Sequence, residues 1–443
     1  MTGKSRKKIF FSDLNAFVLK TLYLILAVLC LALAEGRACT SAVISSRASA
    51  DGRPVLWKHR DTGALDNRLE HFKGPEYSFT GLVNSSSVSA GYLEEGEREV
   101  WMGANTAGFA LMNTASYNLK DDNVPSSLMD REGVIIFKAL GVCGSLEEFE
   151  AFLDTLPRPI GVEANFGAID AFGGAAYYEV NNNSWIKYDV NNPETAPDGY
   201  MVVTNFSFSG REEDRKGYER YLTASAIFSE RSDSGILFDI PFLFDGVSRS
   251  FRHEFLGIDY SRDYDKMKES GFCNGIVVDQ DFIPRRSTSA SVAVQGVKRG
   301  EPVSHIVMWA LLGYPVCGTV IPVPVSVGNI IPDYLCASPV SHNALMCDLA
   351  LSVKNRFVFR FNSSSGRSYL DLDAVIGGRD GRPSLVSCAS ESDEEIRKKF
   401  DVVFNEYLSG RCSYGQYLEE YKAISSEFID IYTNNFKSYL SEE

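Results

Sequence analysis

The sequence predicts an α+β fold in one compact domain with a helical C-terminal extension. Three observations carry this. Short alternating apolar runs are joined by turn signals such as Asp51-Gly52 and read as β-hairpins. Amphipathic helical patterns with recognisable caps separate groups of these runs. From Asp393 to the end the composition turns charged and helical.

Taken in order, Cys39–Ser45 and Val55–His59 alternate well enough for two strands, with Ser49–Pro54 as the turn between them. A polar connection, Asn84 to Glu99, leads to strands at Val100–Met102 and Phe109–Asn113. Gly133–Val142 has a helical face, and Ser145-Leu146-Glu147-Glu148 is a capping box ahead of Leu146, Phe149, Leu153 and Leu156. Pro157 ends that helix. Strands return at Ala175–Val180, Trp185–Val190 and Tyr200–Thr204, and Arg215–Phe228 reads as a helix. In the second half, Ala290–Val297 and Val316–Val325 are strand-like, with a helix expected at Val303–Leu312. Pro322 and Pro324 demote the end of the second of these strands to an edge or exit. No repeat or low-complexity tract interrupts the chain, so the predicted organisation is 1–38 signal, 39–390 domain and 391–443 helical extension.

The first residues explain that division. Lys4, Arg6, Lys7, Lys8 and Lys20 precede an apolar run from Leu22 to Ala34, followed by the small residues Gly36 and Ala38. This is the order of a secretory signal, and the run is short for a span of roughly 20 residues. The expectation is a secreted or periplasmic protein cut before Cys39. The chain carries a formal net charge of −14. Beyond residue 38, 38 basic residues stand against 56 acidic ones, or −18. A nucleic-acid partner is argued against by that balance, since phosphate binding needs a basic surface. Nine cysteines are widely spaced with no C-x-x-C pair, which supports neither a zinc site nor a disulfide scaffold, although one or two disulfides stay open.

Cleavage before Cys39 puts a thiol and a free α-amino group on one residue. That amine has a pKa of roughly 7.7–8 and can take the thiol proton directly or through a water. No separate histidine base is then required, and the thiolate is a strong nucleophile for a carbonyl.

Cys39-Thr40-Ser41-Ala42, then Asp51-Gly52, then Trp57-Lys58-His59-Arg60-Asp61 resembles the start of N-terminal-nucleophile hydrolases acting on linear amides. The similar families are the choloylglycine hydrolases, the penicillin V acylases and the peptidases related to isopenicillin N acyltransferase. Two later segments resemble the same group: Gly103–Asn113, with its Gly-x-Asn-x-x-Gly core, and Val202-Val203-Thr204-Asn205-Phe206. The resemblance covers about residues 39–220 with recognisable motifs and, more weakly, 285–325.

That resemblance implies a four-layer αββα sandwich and attack of Cys39 on a linear amide through an acyl-thioester. It makes Asp61 the orienter of the α-amino group. Asn205, through its side-chain amide, and Asn113, through its backbone N–H, become the oxyanion hole. Lys58 stands where the bile-salt enzymes carry arginine, and Arg220 could match an arginine near the nucleophile. The chemistry needs no metal or organic cofactor. The implied partner is a small-molecule amide, with no membrane span after signal cleavage; a homo-oligomer stays open. An acyltransferase using an amine acceptor is the nearest alternative. A lipid-anchored or non-catalytic binding protein is the alternative from another class.

Overall fold

In the computed structural model, which describes residues 38–86, 93, 96–362 and 368–441, two antiparallel sheets face each other between helical layers. In chain order the first strands are β1 (Ala38–Ile44), β2 (Val55–Asp61), β3 (Asn67–Lys73), β4 (Ser78–Asn84), β5 (Met102–Asn105) and β6 (Ala110–Ala115). After the helices α1 (Glu132–Val142) and α2 (Leu146–Thr155) come β7 (Ala164–Ile169), β8 (Ala175–Val180), β9 (Trp185–Asp189) and β10 (Tyr200–Val203). Helix α3 (Tyr218–Asp233) leads to the two-residue strands β11 (Arg252–His253) and β12 (Ile258–Asp259), then α4 (Tyr260–Glu269) and β13 (Ile276–Val278). Strands β14 (Thr288–Gln295), β15 (Val307–Leu312) and β16 (Ile321–Pro324) precede α5 (Leu345–Val353), β17 (Phe361–Asn362) and β18 (Ser368–Asp371). The chain ends in α6 (Leu385–Leu408), α7 (Tyr414–Asn435) and α8 (Lys437–Leu440). Segment 1–37, on which the export reading rests, lies outside the described residues.

One sheet has the order β10-β1-β2-β14-β15-β16 and the other runs β3 to β9 as a meander. Between them Val43, Leu56, Leu82, Met102, Met112 and Tyr177 share one buried core. Gly167 lets the sheets approach. A Cβ there would lie 2.4 Å from Met112, 3.0 Å from Leu56 and 3.1 Å from Val43, distances that would force the layers apart. Outside the seven-stranded sheet, Phe149 and Leu153 of α2 and Ile136 and Leu140 of α1 bury a second core with Phe166 and Tyr178. Outside the six-stranded sheet, Phe228 of α3 packs near Trp57, and Phe400 of α6 meets Trp309 edge-on at 5.4 Å.

The four expected layers are therefore present, and the C-terminal helices form one of them. Residues 38–443 make a single compact unit, so the segment from 391 is packed as an outer layer. Ser145 caps α2 by accepting from the Glu148 N–H at 3.2 Å, while Glu148 reaches back to the N–H of Gly144. Ser413 and Gln416 form a capping box on α7.

Several local expectations are corrected. Val303–Leu312 is not a helix: a 3₁₀ turn at Val303–His305 precedes strand β15. All six residues of β15 are buried, and a run covered on both faces shows no period that separates strand from helix. The strand expected at Val316–Val325 begins only at Ile321, after a 3₁₀ turn at Pro315–Cys317, and β16 does lie at the sheet edge. Strands β3, β4 and β7 had no clear sequence signal. All eight described cysteines are free thiols.

Candidate active site

β1 and β2 pair antiparallel with Cys39 opposite Arg60 and Ser41 opposite Lys58. Residues opposite one another share a face, and alternate residues along each strand do too. Cys39, Ser41, Arg60 and Lys58 therefore face the space between the sheets. The contacts agree: Ser41 Oγ lies 2.8 Å from the Tyr177 hydroxyl of β8. Lys58 Nζ donates to the Trp101 carbonyl at 2.8 Å and to Asn113 Oδ1 at 2.9 Å. The Arg60 guanidinium lies over the Trp101 ring, 5.0 Å from its centroid, and donates to the Asn67 and Asn84 side chains. Cys39 is 6% exposed.

Sequence neighbours Thr40, His59 and Asp61 occupy the opposite face. There the main chain of Cys39 is gripped from both sides. Its N–H donates to Asn205 Oδ1 at 2.8 Å, and its carbonyl accepts from Arg220 Nη1 at 2.7 Å. Arg220 Nη1 also reaches Thr40 Oγ1 at 3.0 Å, and Nη2 donates to Asn205 Oδ1 at 2.9 Å. One planar guanidinium thus ties α3 to β1 and to the end of β10, which a lysine could not do. Gly217, at φ 76°, makes room for it: a Cβ there would lie 2.1 Å from Nη2. Burial pulls the Arg220 pKa down to about 10, with Arg285 adding to the shift and Asp61 opposing it. It stays a cation at neutral pH.

Asp61 sits in a second cluster. Its Oδ1 accepts from Thr288 Oγ1 at 2.6 Å and its Oδ2 from Arg285 Nε at 2.9 Å. Arg285 also donates to Asp281 at 2.6 Å. Burial lowers the Arg285 pKa, but Asp61, Asp281 and Asp279 outweigh it and leave it raised. His59 Nε2 lies 3.2 Å from Thr288 Oγ1. Burial pushes the His59 pKa down to about 4, Asp61 opposing and Arg220 and Arg285 reinforcing, so its ring is neutral at physiological pH.

The fold thus joins Cys39, Asn205 and Arg220 directly, and Lys58 to Asn113. Two implied roles meet a different geometry. The Cys39 nitrogen goes to Asn205, while Asp61 is engaged by Arg285 and Thr288. Asn205 Nδ2 donates to the Ala115 carbonyl at 2.9 Å. Asn113 lies one residue past the last β5 pair, Met102–Met112, and remains paired with Phe166 of β7. Arg285, Thr288, His59, Arg60 and Tyr177 were missed as site residues. Strand alternation in Trp57–Asp61 groups Arg60 with Lys58, but the sheet register is what sets them opposite Cys39 and Ser41; nothing local marks Arg285, which is 224 residues from its partner Asp61. Among the described residues no group of three metal-ligating side chains is assembled.

No family model matches the sequence, and no curated protein matches it. Solved structures that it is similar to include an N-acylethanolamine-hydrolyzing acid amidase orthologue from Caenorhabditis elegans, 16% identical, TM-score 0.33, covering 46% of this chain and 87% of that one. A conjugated bile acid hydrolase variant from Clostridium perfringens is 12% identical, TM-score 0.35, over 66% and 93% of the two chains. Penicillin V acylase from Agrobacterium tumefaciens is 13% identical, TM-score 0.33, over 65% and 86%. At that distance the functional reading rests on this chain's own geometry.

Proposed function

We propose that this protein is an exported amidohydrolase of the N-terminal-nucleophile kind, with Cys39 as nucleophile. One observation carries the reading: Cys39 is the second residue of the second-from-edge strand of one of two facing sheets, its thiol side toward the intersheet space and its nitrogen on Asn205 Oδ1 at 2.8 Å. Once the Ala38–Cys39 bond is cut, that nitrogen becomes an amine already oriented by a neutral acceptor.

The amine takes the Cys39 thiol proton, and sulfur attacks the amide carbonyl of a small linear substrate. A C–S bond forms while the carbonyl π pair moves to oxygen. The oxyanion needs preorganised donors, and the Asn113 backbone and the Asn205 side chain are the candidates at the strand ends. Collapse expels the amine product with the proton held by the α-amino group, leaving an acyl-thioester that water hydrolyses. Lys58 and Arg60 lie on the thiol's face of the sheet, where their N–H groups hold the Trp101 carbonyl and the Asn113, Asn67 and Asn84 side chains in place. Asp61 and Arg285 act one step away, by holding the strand ends.

Intact mass and a substrate panel test this. The mature chain should begin at Cys39 without added lipid and should cleave one member of a panel of bile-salt amides, penicillins, N-acyl amino acids and short peptides. A start at Glu35, or a diacylglyceryl mass, overturns it. Acyl transfer dominating over hydrolysis at modest amine concentration would replace the hydrolase by the acyltransferase.

A further inference from the structure

Arg53 lies in the turn between β1 and β2, at the opposite end of that hairpin from Cys39. Val55 pairs with Ile44 there, whereas Cys39 pairs with Arg60, about 17 Å further along the strand. Beside Arg53 a cavity of about 290 Å³ opens between this turn, the 238–241 segment and helix α6. We propose that the cavity binds a small apolar monocarboxylate, with its carboxylate on the Arg53 guanidinium.

The unmet donors of Arg53 are the first argument. The residue is 4% exposed, and its Nε is buried with no hydrogen-bond partner among the described residues. Carboxylate oxygens stand 3.5 Å from Nε, on Asp51, and 4.0 Å from Nη2, on Glu301. Both separations are longer than a hydrogen bond. Asp51 instead accepts from Ser49 Oγ at 2.9 Å, from the Arg53 N–H at 3.1 Å and from Gln295 Nε2 at 2.6 Å. The guanidinium lies over the Phe404 ring, 5.1 Å from its centroid, which fixes its plane. A buried donor left unpaired costs free energy, and a carboxylate entering the cavity can accept from two N–H groups of the fork at once.

The walls set the rest of the ligand. Ile240, Pro241, Trp309, Phe404 and Leu408 give the cavity an apolar side. Ile240, Pro241 and Trp309 also line a neighbouring cavity of about 260 Å³ that continues to Phe244 and Val320, so an apolar tail has a wall to run along. Lys298, Arg397 and Arg53 stand against Asp51, Asp239 and Asp401. Asp239 is held by Arg231 at 3.1 Å and Asp401 by Arg397 at 3.3 Å. A wall with balanced charge and one open fork suits a monoanion, whereas a dianionic phosphate would meet three carboxylates with no excess of cations. Nothing in this argument depends on the role proposed for Cys39.

The experiment titrates the full chain calorimetrically with octanoate, octanol and octylamine at equal ionic strength. Octanoate should bind saturably, octanol about tenfold more weakly, and octylamine no better than octanol. Arg53→Gln should weaken octanoate about tenfold or more and leave octanol unchanged. Lys298 lines the same cavity with a side chain 45% exposed, so Lys298→Gln removes a cation without disturbing the turn. It should weaken octanoate about threefold, and it keeps the test open if Arg53→Gln does not fold. Lys266→Gln, on helix α4, which lines neither cavity, should change nothing. No saturable octanoate binding, or octanol bound as tightly as octanoate, overturns the proposal. So does octanoate affinity undiminished in Arg53→Gln, or in Lys298→Gln where Arg53→Gln does not fold.

Discussion

The N–H of Cys39 donates to Oδ1 of Asn205 at 2.8 Å, across 166 residues of chain, and the same oxygen accepts from Arg220 Nη2 at 2.9 Å. One side-chain carbonyl therefore holds the nucleophile's nitrogen and is itself held by a cation. Asn205→Ala removes both bonds. The expected result is a fall in kcat of about 10²–10³ with KM little changed. Steady-state kinetics on the substrate found in the panel checks it, and an effect confined to KM would contradict the assignment.

Replacing the nucleophile should be decisive and structurally mild. Cys39→Ala should lower amide hydrolysis by at least about 10³-fold while circular dichroism and melting temperature stay near the parent's. Retained turnover in that variant takes the thiol out of the mechanism.

Arg220→Lys tests the guanidinium bridge between Cys39, Thr40 and Asn205. An ammonium can satisfy one of those acceptors in place, so urea unfolding should show a loss of about 2 kcal/mol, accompanied by lower kcat. A shift below about 0.5 kcal/mol would mean the bridge carries little.

Asp61→Asn leaves the Arg285 guanidinium without its buried carboxylate. Breaking such a pair costs about 3–5 kcal/mol, whereas removing both charges costs less. Asp61→Asn with Arg285→Met should therefore be more stable than Asp61→Asn alone. A double-mutant cycle measures the coupling, and additive single effects would show that the two groups do not support each other.

His59 gives a pH signature. The unfolded chain takes up its proton near pH 6.5 and the folded chain only near pH 4, so acidification across that window favours unfolding. The group removes up to about 3 kcal/mol of stability between pH 6.5 and pH 4. In His59→Gln that part of the slope should vanish. Denaturant midpoints of parent and variant across the window check it; parallel pH profiles would place the proton uptake elsewhere.

Much of the architecture was legible from local pattern. Asp51-Gly52 marks the first hairpin, Ser145 and Glu148 mark the start of α2, and Pro322 and Pro324 mark an edge strand, because each signal acts over a few residues. Val303–Leu312 misled for a physical reason. Its strand is buried on both faces, and an apolar run without polar alternation has no readable period. Strands β3, β4 and β7 went unmarked for a related reason: their identity comes from the neighbours they pair with.

For the site, the sequence by itself determined which residue types were on hand: a cysteine behind a cleavable-looking segment, an aspartate closing the second strand, and asparagines at two later strand ends. Only the tertiary structure decided who holds whom. It set the nitrogen of Cys39 on Asn205, bound Asp61 to Arg285 and Thr288, and put Lys58 and Arg60 on the thiol's face. Those partners are brought together by sheet register and by the packing of α3 on β1, which depend on the whole core and on no short stretch of chain.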